Sequence, residues 1–258
     1  MKNRLTIAIQ KKGRLFDQST DLIKKSGINF STKGDNLLAK SNNLPIDILF
    51  VRSDDIPSLV SNGDADLAIV GENVLIEKSL FKRTYIEKII DLGFSKCRLS
   101  FAAPKNNKIK NFNNMKIATS YPNTVKKYLK DNNINASVTN IHGSVELTPY
   151  IGMSDIICDL VSSGATLEAN NLKEIEVILQ SQAVLIKNKN LSKNKEKIAE
   201  KVISRMQGVV NAIESKYVML NVDASKVKDI CKLLPGSESP TIIPLEDSKK
   251  VAIHALCQ

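Results

Sequence analysis

The residues from Asp155 to Glu168 read Asp-Ile-Ile-Cys-Asp-Leu-Val-Ser-Ser-Gly-Ala-Thr-Leu-Glu. An apolar run, Ile156–Val161, is patterned as a buried strand and carries Asp159 toward its carboxyl end. A Ser-Ser-Gly-x-Thr turn follows, and a helix opens behind it. Ligands of parallel sheets bind at that edge. Small hydroxyl residues and Gly164 let consecutive backbone N–H groups come close to a phosphate, and a helix N-terminus adds partial positive charge. Ser162, Ser163 and Thr166 can donate from their side chains as well. A carboxylate just upstream suits a ribose diol or a magnesium-bound diphosphate. On spacing alone, a plain strand-to-helix turn capped by Ser and Thr accounts for the segment equally well.

Other chemistry is sparse. The cysteines, Cys97, Cys158, Cys231 and Cys257, have no CxxC pair, and His142 and His254 lie far apart, so the spacing speaks against zinc. Four reduced, mostly buried thiols are expected. His142, beside Gly143, reads as a loop histidine rather than a base. The formal charge of +10 fits either attraction of phosphorylated ligands or a Lys- and Asn-rich composition without functional meaning. Nucleic acid is disfavoured, because Trp is absent, aromatics are 5% and no basic stretch is interleaved with them. The most basic tract, Lys187–Lys201, mixes in Glu and reads as a solvated loop and helix start. The longest apolar runs, such as Ile46–Val51, are too short to span a bilayer, and the amino end lacks the apolar core of a signal peptide. A cytoplasmic location is expected.

The elements that must position these residues alternate. Arg4–Gln10 is a strand, Leu15–Ser26 a helix ended by Gly27, and Ile46–Val51 a strand. A helix starts at Ser53-Asp-Asp-Ile-Pro, and Asp66–Val70 is a strand. That order predicts a mostly parallel sheet with helices on both faces. A second unit starts near Cys97, with strands at Leu99–Ala103, Lys116–Thr119, Ala136–Asn140 and Ile156–Val161 and a helix at Thr124–Asn132. Strands Glu174–Leu179 and Ala183–Lys187 return, and the helix Asn194–Glu214 packs back. Leaving one α/β lobe, building another and returning gives two lobes about a cleft. Residues 1–96 with 181–214 are expected as the first lobe and 97–180 as the second. Residues 215–258 are patterned strand, helix, strand, strand, which is part of a ferredoxin-like β-α-β-β-α-β unit stopping before its last helix and strand.

The stretch ICDLVSSGATLEANNLKE resembles the phosphoribosyl pyrophosphate (PRPP) loop of ATP phosphoribosyltransferases. So, in family order, do AIQKKGRL (Ala8–Leu15), LPIDILFVRSDDIPSLV (Leu44–Val60), DLAIVGENVL (Asp66–Leu75), CRLSFA (Cys97–Ala102), KIATSYP (Lys116–Pro122) and GSVELTP (Gly143–Pro149). ESKYVML (Glu214–Leu220) and LLPGSESPTIIPL (Leu233–Leu245) resemble the regulatory domain of the long form. The resemblance implies a two-lobed core like the periplasmic binding proteins, with the active site in the cleft. It implies attack of N1 of ATP on C1 of PRPP with inversion, loss of pyrophosphate, a magnesium requirement and a place at the first step of histidine synthesis. Carried over, Ser162, Ser163, Gly164, Ala165 and Thr166 hold the ribose 5-phosphate. Asp155 and Asp159 face the ribose as catalytic residues together with Arg14. Arg14, Arg52, Glu72 and Tyr121 line the nucleotide and pyrophosphate side, with Ser144 and Glu146 on a nearby loop. No metal ligand is implied beyond the substrate phosphates and Asp159.

The sequence departs from the family in places. Ser53 stands where an acid is expected, and Ile76-Glu-Lys replaces a more acidic stretch. The long form continues past this carboxyl end, so weakened inhibition by L-histidine is expected. A homo-oligomer, dimer or hexamer, is implied. The competing reading is a catalytically degenerate or ligand-sensing protein of the same two-lobed fold.

Overall fold

The structure is a computed structural model that describes residues 4–31, 36–80, 84–107, 109–234, 239–246 and 249–257. Part of the Leu233–Leu245 block, residues 235–238, lies outside the described residues, as do the first three residues of the basic amino end.

The chain forms two compact units, Met1–Lys201 and Val202–Gln258. The first contains two sheets. It opens with β1 (Leu5–Gln10), α1 (Arg14–Lys25), β2 (Leu38–Lys40), β3 (Ile46–Val51), α2 (Ile56–Asn62), β4 (Leu67–Gly71), α3 (Glu72–Ser79) and β5 (Ile86–Asp91). Then come β6 (Cys97–Pro104), β7 (Lys116–Thr119), α4 (Pro122–Asp131), β8 (Ser137–Asn140), β9 (Ile156–Val161), α5 (Ala165–Ala169), β10 (Leu172–Ser181) and β11 (Ala183–Asn188). Helix α6 (Lys193–Glu214) carries the chain into the second unit.

The six-stranded sheet has the order β2-β3-β1-β4-β11-β5. Strands β3, β1 and β4 run parallel, whereas β2 is antiparallel to β3, and β11 is antiparallel to both β4 and β5. The expected mostly parallel sheet is therefore mixed. The reason is the return strand β11, which inserts beside β4 from the other lobe without a crossover helix. In β1, Ile7, Ala8 and Ile9 are all buried, as are Leu67 to Val70 in β4, so both faces of the centre are covered. The five-stranded sheet has the order β10-β6-β9-β7-β8, with β9, β7 and β8 parallel and β6 antiparallel to its neighbours. Two segments join the lobes, residues 92–96 and Gln182. The first is bonded to the start of β11 through Leu92 N to Ala183 O and Ala183 N to Phe94 O, both at 2.9 Å.

The helix expected from Ser53 starts as a 3₁₀ turn, Ser53–Asp55, and Asp55 makes no side-chain cap. Helix α3 is absent from the sequence-based expectation, because Val74, Leu75 and Ile76 stand in a row and give no helical period. The second unit has β12 (Lys216–Asp223), α7 (Val227–Leu233), β13 (Thr241–Pro244) and β14 (Lys250–Cys257), in the all-antiparallel order β12-β14-β13. That is a β-α-β pair split by a third strand, as ferredoxin-like units are built. All four cysteines are unpaired; Cys158 and Cys257 are buried, and Cys97 and Cys231 half-buried. No helix among the described residues is long and apolar enough to cross a membrane.

Candidate active site

The carboxyl ends of the parallel strands in both sheets supply the site. After β1 the chain makes a basic turn, Lys11-Lys12-Gly13-Arg14, tied to β3 by Lys11 N to Val51 O at 2.9 Å. Gly13 has φ 91° and ψ −177°, a region that essentially only glycine occupies, and this sharp entry sets the start of α1. Exposed Arg14 then reaches across to the other lobe, where its Nη2 donates to Ser162 Oγ at 2.9 Å.

Ser162 opens the turn after β9. Gly164, with φ 85° and ψ −3°, is the residue preceding α5, and no side chain caps that helix. Ser162 and Thr166 hydroxyls are thus not spent on capping, and Ser163 Oγ accepts only a long bond, 3.4 Å, from Ala165 N. The first N–H groups of a helix lack partners within it, and here the residues that carry them, Ala165 to Leu167, line a cavity of about 140 Å³. Its walls are Glu146, Asp159 and the turn from Leu160 to Leu167. A Cβ built on Gly164 meets nothing within 4 Å, so the turn presents bare backbone to open space.

Asp159 shares a strand face with Ile157 and Val161, whose side chains pack against Val145 and Leu167. Burial pushes its carboxyl above the ordinary range. A hydrogen bond from Leu160 N opposes that rise, and the charge of Glu146 adds to it. It forms no ion pair among the described residues. Tyr121, between β7 and α4, is a second perturbed group. Burial and then the charge of Asp159 drive its phenol well up, so it stays protonated; Asn73 Nδ2 donates to its oxygen at 3.0 Å.

The other expected residues divide. Asp155 is not brought to the turn. It lies at the amino end of β9, where Oδ2 accepts from Lys116 N at 2.8 Å and its own N–H donates to Lys116 O at 2.9 Å. A spacing of four puts Asp155 and Asp159 on one strand face but about 13 Å apart along it. Asp155 serves in this structure as a strand-end tie, and of the two carboxylates only Asp159 lines the cavity at the turn. Arg52 is exposed just after β3, level with Arg14 at the strand ends. Glu72 follows β4 and pairs with Lys88 Nζ at 2.6 Å, while lining a cavity of about 260 Å³ with Lys96, Gln180, Ser181 and Gln182. Ser144 adopts a left-handed conformation, φ 50°, and starts the 3₁₀ turn that carries Glu146 into the smaller cavity.

Two groups of residues escaped the sequence. Arg98 Nη1 donates to Ser162 O at 3.1 Å, and its Nε and Nη2 hold both oxygens of Glu174 at 2.5 and 2.6 Å. Buried Ser100 adds a bond to Glu174 at 2.7 Å. The Arg98 guanidinium keeps Glu174 below the usual carboxylate range. The available signal was an arginine and a serine two apart inside an apolar strand, CRLSFA. The second group is Asn73 with Ser181, bonded in both directions where the lobes join.

Comparison with known proteins gives a concordant result. Residues 52–208 match the sequence family described as ATP phosphoribosyltransferase, and residues 212–258 match the family described as HisG, C-terminal domain. An ATP phosphoribosyltransferase of Cytophaga hutchinsonii is 46% identical, over 99% of this chain and 89% of that protein. One from Bacteroides thetaiotaomicron is 47% identical, over 98% and 89%. Among solved structures, the ATP phosphoribosyl transferase (HisG:HisZ) complex from Thermotoga maritima matches with a TM-score of 0.70 at 28% identity, covering 81% of this chain and 99% of that one. The probable amino-acid ABC transporter extracellular-binding protein ytmK from Bacillus subtilis matches at a TM-score of 0.51 and 11% identity, over 81% and 92%, a likeness of fold alone.

Proposed function

The chain belongs to the ATP phosphoribosyltransferase family, and on that premise we propose that the cleft between its first two sheets joins ATP to PRPP. The observation that carries this reading is the bond from Arg14 to Ser162, which brings the basic strand edge of one lobe onto the hydroxyl turn of the other.

In this reading the lone pair of adenine N1 forms a bond to C1 of PRPP. The C1–O bond to pyrophosphate breaks, and its electrons leave with the pyrophosphate. N1 is already neutral and nucleophilic, so no strong base is needed to begin. Positioning and charge stabilisation dominate instead. Residues Ser162 to Thr166 hold the 5-phosphate on backbone N–H groups and hydroxyls. Asp159 faces the ribose. Arg14 and Arg52 take the pyrophosphate, since guanidinium forks match phosphate oxygens. Tyr121, Glu72, Ser144 and Glu146 complete the nucleotide side, with Tyr121 as a hydrogen-bond donor.

Magnesium fits this site in one mode. Among the described residues no three His, Cys, Asp or Glu side chains form a cage. Magnesium is commonly held by one or two carboxylates together with substrate phosphates, and Asp159, half-buried and without a cationic partner among the described residues, is suited to that with Glu146. When bound, it supplies charge neutralisation for the departing pyrophosphate. The reading further includes a cytoplasmic setting, the first step of histidine synthesis, inhibition by L-histidine and assembly with copies of the chain; the family and the +10 charge support the choice of anionic substrates.

The test is release of pyrophosphate and formation of phosphoribosyl-ATP on mixing the protein with ATP, PRPP and magnesium. A folded protein that makes no nucleotide product at saturating substrates refutes the reading.

A further inference from the structure

Helix α4 begins without a cap of its own. Tyr121 precedes it and makes no side-chain bond to its first turn, and Pro122 follows. The two N–H groups that an N-cap side chain ordinarily serves belong to Asn123 and Thr124. Both are served from the other lobe. Glu77 of α3 accepts from Asn123 N through Oε1 at 2.8 Å, and from Thr124 N and Thr124 Oγ1 through Oε2 at 2.8 and 2.7 Å. The backbone oxygen of Glu77 also accepts from Asn123 Nδ2 at 3.1 Å. Glu77 is 5% exposed, so these bonds form out of water, where a carboxylate at a helix N-terminus is most stabilising.

The same face of α3 makes a second contact. Asn73, four residues earlier and therefore one turn back on that face, donates to the Tyr121 hydroxyl and is itself bonded to Ser181 at the junction of the lobes. Helix α3 starts at the carboxyl end of β4, and α4 starts at the carboxyl end of β7. One helix of the first lobe thus grips the first turn of one helix of the second, immediately behind both edges of the cleft. Parting the lobes here strips a buried carboxylate of all its donors, which is costly. The contact thus ties the two lobes behind the cleft, apart from the Arg14–Ser162 bond at its edge.

We propose that Glu77 is a positioning residue for the reaction: a helix cap supplied in trans that fixes Tyr121, and the nucleotide edge with it, against the first lobe. The proposal rests on the reading of the cleft as the active site. Glu77 touches no reacting atom in it.

Glu77→Gln keeps the shape but turns one acceptor into a donor facing an N–H group. The variant is expected to remain folded by circular dichroism, with a lowered thermal midpoint. Ribose 5-phosphate, which probes the turn after β9 alone, should bind within twofold of wild type by calorimetry. The kcat/KM for ATP at saturating PRPP should fall at least tenfold, mostly in kcat. Adding Asn123→Asp places an anion in the first turn of α4 itself. The double variant should recover the thermal midpoint but not kcat/KM. Wild-type kcat/KM in Glu77→Gln, or recovery of both quantities in the double variant, overturns the proposal and leaves Glu77 as a helix stabiliser only. If Glu77→Gln does not fold, Glu77→Asp, which keeps the charge one methylene short of both N–H groups, is measured in its place, and the same two results overturn the proposal. Failure of the active-site reading shows separately, as wild-type protein that does not bind ribose 5-phosphate.

Discussion

Replacing Gly164 by alanine separates two effects that usually arrive together. Its φ of 85° is left-handed, and an alanine held there costs on the order of 1–2 kcal/mol. For a protein of this size that is a fall of about 2–8 °C in thermal midpoint. No steric term adds to it, because the new methyl meets nothing within 4 Å. The methyl instead stands where a phosphate would approach the backbone. Losing two charge-assisted bonds, each about 1.5–3 kcal/mol, weakens PRPP binding by on the order of 100-fold or more. Gly63 supplies the matched control. It has φ 84° and ψ 12° at the end of α2, and its added methyl makes only an ordinary 3.8 Å contact with Asn188. Gly63→Ala should show the same fall in midpoint with unchanged affinity. Calorimetric titration with PRPP and thermal unfolding of the two variants decide the matter. Equal PRPP affinity in Gly164→Ala and Gly63→Ala refutes the assignment of the turn as a phosphate site.

Three further outcomes are expected. Arg14→Ala should lower kcat/KM for PRPP by about 10- to 150-fold, the loss of one charge-assisted contact of about 1.5–3 kcal/mol. It should leave thermal unfolding nearly unchanged because the side chain is exposed; full activity would make it a surface residue. Asp159→Asn should lower kcat by about 100-fold or more if the carboxylate faces the developing charge. The same variant should be more stable than wild type at pH 7–8. The folded-state carboxyl is raised, so its contribution is present below the ordinary carboxylate pKa and lost as pH rises through the folded value. Unfolding midpoints that do not converge in acid would contradict this. Glu174→Gln should raise KM for PRPP several-fold by freeing Arg98 from its place under Ser162 O. It should cost about 1 kcal/mol or less at neutral pH. Glu174 is depressed in the folded state, so that difference should shrink as pH falls through its folded value, and a constant gap would be evidence against the pair.

Much of the scaffold could be read from the chain because burial leaves a period. The strand at Ile46–Val51 is as expected to the residue, and β1, β9 and β11 differ at their ends by one residue or none. Their apolar runs are bounded by polar, charged or Pro residues that stop them. What escaped was set by tertiary contact. β2, only three residues long, and β5, an edge strand with exposed Glu87 and Lys88, carry little apolar signal. Helix α3 lacks a period, and one of its buried positions is a glutamate whose partners lie 46 and 47 residues away. The turn after β9 was legible as a phosphate candidate, yet its alternative, a Ser- or Thr-capped helix, could be weighed only once Gly164 was seen at the cap. The distance of Asp155 from that turn was hidden for a similar reason. The alternation of a strand fixes the face a side chain takes but not which end of the strand meets the ligand.

The insertion of β11 between β4 and β5 has a consequence for how this protein is made. Among the described residues strand β5 pairs with β11 alone, so from Asp91 it waits for Asn188 to emerge, 97 residues later. At roughly 5–20 residues per second that is about 5–20 s of synthesis. The second lobe is one uninterrupted stretch of chain, Cys97–Ser181, and can close its own sheet on the ribosome first. The first lobe, although its amino end is translated earliest, must be finished last, and until then β4 and β5 offer unpaired edges to chaperones and to neighbouring nascent chains.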